Sequence, residues 1–584
     1  MPFNLYTMPI ISMPMNLIAY WGYIIIIFIL SFMPGFIIAS RFKSLNFTEQ
    51  LATSFGFSFV ILTLMVPFFA LKLNSPAQLL FTGIIIASLL YLFKKKSEFK
   101  FDTEIRFVLL IFLIGLVSKF FLQTLWEYPV MGGDWFGHAF VRPYGFETGN
   151  WLPDRDRTPL FSLLIYAYHN LLGISLYQYW VSQIISVVIN SAFILPAYLI
   201  AKKAFGDRVA KVSALFMLVT PFLIFNTLYT WPKNAAMYGI LMMIYFLFFS
   251  KHDAKLRYPL AGFFAGIGFL FHNYAVLYIG IAVLILIYKE KMYRGLLSKK
   301  GFNNLKRLSY FLIVLLIILA PYFAWVHSYY GTILTTKLIY YPFAVNGYDT
   351  AISGNRHELF NTFYSTPIKE LIMIRVTNAV ITLTPTALPI DPIATAFRTY
   401  NPIYYYTHDY PGALSTLMYL LVVIWFIRYI LGKTKTDSVM VSFLVLPVIM
   451  SLILFGWRDW GLVTGLLQPT IPLLIIIGFN EVFNWGNEIK YKLVYIVFIS
   501  AVIENVVYGV LISRFYQEVE GGLQNVAKMG KMVTPDFQIS NFVSAHFLLN
   551  GNINMMAGFL ISIGIIILAY ILLYDQGRLD KSGL

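Results

Sequence analysis

Asp134, His138 and Arg142 stand at four-residue intervals directly after the Gly132-Gly133 pair. If a helix begins at the glycines, this spacing puts a carboxylate, an imidazole and a guanidinium on one face. The glycines permit a sharp turn that aims the aspartate. Such a face offers a proton acceptor, a second titratable group and a cation for an anion. The plainer reading makes Asp134 a helix N-cap and His138 a surface residue. Further along, Asp154-Arg155-Asp156-Arg157 runs into Thr158-Pro159. An Asp-x-Asp pair suits a divalent cation through hard oxygen ligands. Arginines beside a helix start suit a phosphate. A solvated, self-paired charge run is the alternative there.

Four other positions combine charge with an apolar setting. Glu504 lies well inside the apolar run 491–513, and an intramembrane carboxylate is a functional candidate or a satisfied structural pair. Lys119 lies near the end of 105–125, where its ammonium is expected to snorkel to the surface. Arg458-Asp459 falls between Trp457 and Trp460, either as a paired anchor or with Arg458 on a phosphate. His272-Asn273 breaks two short apolar segments, and broken helices line cavities.

The elements that must position these groups are membrane helices. The chain has 584 residues, 59% hydrophobic and only 12% charged, where soluble domains carry about a quarter charged. Apolar runs predict spans at 17–39, 51–72, 78–93, 105–125, 178–200, 210–228, 234–250, 258–271, 273–288, 308–326, 413–431, 438–456, 461–480, 491–513 and 553–574. The first run lacks a basic leader and is too long for a signal peptide, so it is expected to be a retained span. Expected, then, is an all-α polytopic membrane protein of about 15 transmembrane helices with interfacial helices and external loops. With no cysteine present, disulfides, thiolate catalysis and iron–sulfur clusters are excluded.

The net charge of +16 does not imply nucleic acid. With the N-terminus outside and the C-terminus cytoplasmic, most of the 43 basic residues fall in inner loops, which is the positive-inside pattern. That count works only if 158–173 does not cross the bilayer. Thr158-Pro159 reads as an N-cap followed by proline at the first helical position. The helix to about Gly173 is then roughly 23 Å long, short of a core of about 30 Å. Leu160, Leu163, Leu164, Ala167 and Leu171 form its apolar stripe, with Tyr166, His169 and Asn170 turned away, as for a helix lying in the interface. Three loops, 126–177, 327–412 and 514–552, then lie outside. The chain divides into N-terminal spans (1–104), a module with the first external loop (105–330), an external loop (331–412), and C-terminal spans (413–584) with the small external segment 514–552.

The order of these features resembles the GT-C superfamily of polytopic glycosyltransferases, nearest the protein O-mannosyltransferase and aminoarabinose-transferase branch. The resemblance covers roughly 105–330. It rests on Gly133-Asp134-Trp135-Phe136-Gly137-His138, on Thr158-Pro159-Leu160-Phe161, and on Ala201-Lys202-Lys203-Ala204-Phe205-Gly206-Asp207-Arg208. It extends through Thr220-Pro221-Phe222 and the Ala-Gly-rich run 260–270. The acidic loop is also similar to the first external loop of oligosaccharyltransferase catalytic subunits. The O-mannosyltransferase and aminoarabinose-transferase branch often has a lysine after the Ala-Gly-rich run, where this chain has His272-Asn273.

The resemblance implies transfer of a sugar from a polyprenyl-phosphate donor to a protein, lipid or glycan acceptor on the outer face. Asp134 matches the family's catalytic acidic residue in the first external loop. Transfer needs a carboxylate to take the acceptor's proton, positive groups or a metal to neutralise the leaving phosphate, and exclusion of water. Asp134 and His138 are the candidate catalytic groups. Arg142, Asp154, Arg155, Asp156, Arg157, His272 and Arg458 are the candidate substrate ligands. Asp134 and Asp156 are candidate ligands of a divalent cation, Mg or Mn. Partners are the lipid-linked donor, the acceptor and membrane lipids, with no nucleic acid. One rival is a multi-pass transporter or lipid flippase, whose marks would be inverted repeats and several mid-bilayer charges. Another is a structural subunit of a membrane complex, which needs no acidic constellation.

Overall fold

The computed structural model describes residues 13–94, 103–126, 137–153, 157–228, 230–290, 299–333, 337–345, 356–383, 414–454, 456, 466–485, 489–518, 560, 563–565 and 567–568. Every regular element among them is helical. Four long helices open the chain: α1 (Met13–Ala39), α2 (Phe47–Ala70), α3 (Asn74–Lys94) and α4 (Thr103–Trp126). A capping box starts α2, with Asn46 Oδ1 accepting from the Glu49 amide and the Glu49 carboxylate accepting from the Asn46 amide.

A π-turn, Gly137–Val141, then leads into the short α5 (Arg142–Glu147), followed by α6 (Leu160–Leu172). Next come α7 (Tyr179–Ser191), α8 (Ile194–Phe205), α9 (Asp207–Val219), α10 (Pro221–Leu228) and α11 (Lys233–Ile244). The predicted break at His272-Asn273 is present, between α12 (Ala254–Phe271) and α13 (Ala275–Lys289). After α14 (Lys299–Tyr330) come α15 (Arg356–Ser365), α16 (Ile368–Leu383), α17 (Thr416–Ile430), α18 (Ser438–Leu454), α19 (Thr470–Phe483) and α20 (Ile489–Glu518).

Five helices among the described residues are long and apolar enough to cross a bilayer: Trp21–Ala39, Phe47–Ala70, Asn74–Lys94, Tyr179–Phe205 and Asn304–Tyr330. A sixth span results if α9 and α10, bent by 69° at their break, are counted together. The segment Tyr179–Phe205, formed by α7 and α8, is buried from Tyr179 to Ala201 and runs through the middle of the bundle. By contrast, few residues of α3 and α14 are buried. Leu79, Leu90, Leu316 and Ile317 project from them, an arrangement that suits lipid rather than water.

Close helix contacts hold the central layer. A Cβ at Gly239 would sit 2.6 Å from the Gly268 amide nitrogen, so α11 and α12 touch backbone to backbone. At Gly262 a Cβ would lie 2.2 Å from the Phe311 carbonyl, bringing α14 equally close. Tyr238 on α11 donates to the Ala52 carbonyl at 2.6 Å and accepts from the Gly56 amide at 2.9 Å. That pair ties α11 to α2.

Two expectations change, at Lys119 and α6, and at Glu504 the structural alternative is the one realised. Lys119 does not snorkel: it is fully buried, donates to Ser191 Oγ at 3.2 Å and lies 5.8 Å from the Phe193 ring centre. The amphipathic pattern of α6 is overlaid by tertiary packing, because Tyr166 and His169 are as buried as Leu164. Its helix begins at Leu160 after Pro159, and Thr158 makes no side-chain cap. Glu504 serves structure: its carboxylate accepts from the Thr416 amide at 3.1 Å and from Ser500 Oγ at 3.0 Å. It thereby satisfies an orphan N–H at the start of α17.

Candidate active site

The π-turn at Gly137–Val141 is fixed from below. Ser162 Oγ on α6 donates to the His138 carbonyl at 2.8 Å. His138 is 2% exposed and packs edge-on to Phe161 with ring centres 6.3 Å apart. One turn on, Arg142 Nη1 lies 3.3 Å from His138 Nδ1. The extra residue of the π-turn does not separate the pair.

Arg157 reaches the same place from the segment before α6. A Cβ on Gly137 would stand 3.8 Å from its Nη1. The α12–α13 break brings His272. Burial first, then the positive fields of Lys233 and Arg157, hold the His272 imidazole well below the ordinary histidine range. Burial, then Arg142 and His272, do the same to His138. Arg142, Arg157, Lys233, His138 and His272 thus lie within electrostatic reach of one another, drawn from four separate parts of the fold.

Proton placement follows from geometry. A guanidinium N–H can only donate, so His138 Nδ1 accepts from Arg142 and the proton of the neutral ring sits on Nε2. The Tyr274 backbone N–H donates to His272 Nδ1 at 3.3 Å, with the same consequence. Both rings are thus neutral Nε2–H donors beside three cations. The locus presents donors and positive charge, the pattern that receives an anion.

Lys233 had no place in the sequence reading, which let it pass as the residue before the span 234–250. Its signal was a lone lysine in Trp231-Pro232-Lys233-Asn234, on the side where positive-inside counting puts few cations. It is 8% exposed, with Nζ 3.8 Å from the centre of the Trp231 ring. Buried amides shape the turn that carries it. Asn190 on α7 donates to the Trp231 carbonyl at 2.8 Å and accepts from the Ala235 amide at 2.9 Å. Asn234 donates to Thr227 Oγ1 at 3.0 Å and accepts from the Gln468 amide.

Asp134, Asp154, Arg155, Asp156 and Arg458 lie outside the described residues, so the candidate base and metal ligands have no geometry here. Among the described residues no three His, Cys, Asp or Glu side chains gather as a metal set.

Residues 156–325 match the family of dolichyl-phosphate-mannose-protein mannosyltransferases. Arg157, Lys233 and His272 fall inside that segment. No curated protein matches the chain. Among solved structures, ArnT from Cupriavidus metallidurans bound to undecaprenyl phosphate is similar at 13% identity and a TM-score of 0.43, over 79% of this chain and 76% of that one. The oligosaccharyltransferase AglB from Archaeoglobus fulgidus, in complex with an inhibitory peptide and a dolichol-phosphate, is similar at 13% identity and a TM-score of 0.42. That likeness covers 73% of this chain and 58% of AglB.

Proposed function

We propose that this chain is a polytopic membrane glycosyltransferase of the GT-C superfamily, moving a sugar from a polyprenyl-phosphate donor to an acceptor on the outer membrane face. The observation that carries the reading is the convergence of Arg142, Arg157 and Lys233 on two imidazoles kept neutral as Nε2–H donors. Among the described residues, these five side chains offer a phosphate ester N–H donors and positive charge.

In this reading the donor's phosphate occupies the cationic locus and its lipid tail runs along the outside of the bundle. The bond between the anomeric carbon and the phosphate oxygen breaks as the acceptor oxygen bonds to that carbon. Asp134, brought by the loop before His138, takes the acceptor's proton. Negative charge grows on the departing phosphate, where the guanidinia, Lys233 and the imidazole N–H groups stabilise it. Preorganisation is the role of the buried amides: Asn190 and Asn234 hold the Lys233 turn, so the cations need no rearrangement as charge develops.

A divalent cation at Asp134 and Asp156 remains part of the proposal from the sequence and enters no step above. The transporter reading loses one support, because Glu504 is used to cap α17. Membranes containing the protein are expected to release polyprenyl phosphate from a labelled polyprenyl-phosphate sugar. Passage of the intact labelled lipid across the bilayer without cleavage would instead establish a flippase.

A further inference from the structure

A concavity lies one short helix away from the cationic locus. The short helix α5 carries Arg142 at its start and Glu147 at its end, about 8 Å apart along the axis. Beyond Glu147 opens a cavity of about 250 Å³ lined by Asn74, Gln78, Glu147, His169, Asn170 and Ser175 among others. Its volume is below the range of about 300–1,000 Å³ that holds drug-sized ligands, so it suits a single headgroup or sugar ring.

Gln78 Nε2 donates to the Asn170 carbonyl at 2.9 Å, and Asn170 Nδ2 donates to the Tyr166 carbonyl at 2.9 Å. Carbonyl oxygens only accept, so each bond uses one N–H of its amide and fixes the amide's orientation, leaving the amide oxygen as an acceptor beside a second N–H. Both ring nitrogens of His169 are also engaged, with the Ile174 carbonyl at 3.1 Å and Ser182 Oγ at 2.9 Å. The nearby Lys72 Nζ bonds to the Glu147 backbone carbonyl at 3.2 Å rather than to its carboxylate.

Two amide oxygens and a carboxylate therefore share one small concavity. From this we propose that the cavity binds a primary ammonium group, carried by a lipid headgroup or by an amino sugar. An ammonium has three N–H donors and no acceptor, which matches three acceptor groups including one anion. A neutral sugar ring brings no charge to meet the Glu147 carboxylate, and no Phe, Tyr or Trp lines the cavity to stack on its face. The site is independent of the sugar-transfer reading, although the same short helix serves both.

The test is thermal unfolding of the full chain in detergent with four probes. Ethanolamine and glucosamine, both primary ammonium compounds, are expected to raise Tm saturably, while choline and glucose do not. Glu147→Gln, and separately the milder Gln78→Leu, should weaken the ethanolamine effect about tenfold or more. A shift from glucose equal to that from glucosamine would make the cavity a polyol site and overturn the proposal, as would no shift from either amine. Nanodiscs of phosphatidylethanolamine and of phosphatidylglycerol separate the sources. Loss of the glucosamine shift only in the former identifies the lipid headgroup, and its persistence in both identifies the soluble amine.

Discussion

Tyr274 donates its hydroxyl to the backbone carbonyl of Lys233 at 2.6 Å. The bond joins the first residue of α11 to the break between α12 and α13, so the lysine and His272 are held by one short bridge. Positioning is thus built into two places whose sequences are 41 residues apart. Tyr274→Phe removes the donor and leaves a buried carbonyl unsatisfied, a loss of about 1–3 kcal/mol. The expected result is a lower Tm together with a donor KM raised several-fold. A lower Tm with an unchanged donor KM would mean that the bridge stabilises the fold and does not position Lys233.

Charge at the anion locus is tested at two cations. Arg157→Ala should raise the apparent donor KM severely, and Arg157→Lys partially, because lysine keeps the charge and loses the bidentate fork. Lys233→Met removes a charge-assisted donor worth about 1.5–3 kcal/mol, or roughly 10–100-fold in kcat/KM. Detergent-solubilised variants of normal Tm with unchanged donor KM would take these residues out of the site.

The pairing of His138 with Arg142 was legible because four-residue spacing is a local property that survives the π-turn. Broken helices at His272 were legible because polar residues interrupt an apolar run. Lys233 was not, since one lysine beside an apolar segment has the same sequence signature as a span boundary. Its significance comes from Asn190, Trp231 and Tyr274, which fold around it from other elements. Lys119 and α6 failed for a related reason. A hydrophobic pattern shows which face is apolar, but not how many neighbours also cover the polar face; His169 is buried by packing that no local pattern encodes.

Asp134→Asn is expected to lower transfer by roughly 10²–10⁴-fold, the usual contribution of a general base, while insertion and Tm stay normal. The motive is a carboxylate four residues before His138, itself fixed in the cationic locus. Near-normal turnover would make Asp134 a helix cap and direct the search for the base to Asp154 or Asp156.

Topology is accessible because the chain has no cysteine. Thr350→Cys should react with an impermeant thiol reagent added to intact cells, and Lys95→Cys should not. The reverse pattern would invert the orientation and put the proposed site on the cytoplasmic face.

Acid should affect stability and catalysis differently. Burial lowers the pKa of His169 to about 4, the backbone bonds at Ile174 and Ser175 only partly opposing it. The neutral ring donates from Nδ1 to Ile174 and accepts at Nε2 from Ser182. The unfolded chain takes up the proton near pH 6.5 and the folded chain only near 4. Stability from this residue is therefore complete above about pH 6.5 and declines as pH falls towards 4, by roughly 3 kcal/mol. A Tm that falls over this window, and falls less in His169→Gln, is the expected record; equal slopes in the two proteins would exclude His169 as the cause. The His138 and His272 rings, lowered well below the usual range, stay neutral across most of the same window. Donor KM should accordingly remain flat from pH 8 to about 6. A donor KM that improves as pH falls through 6.5 would show an imidazolium forming at the locus, and would replace neutral N–H donation with a charged clamp.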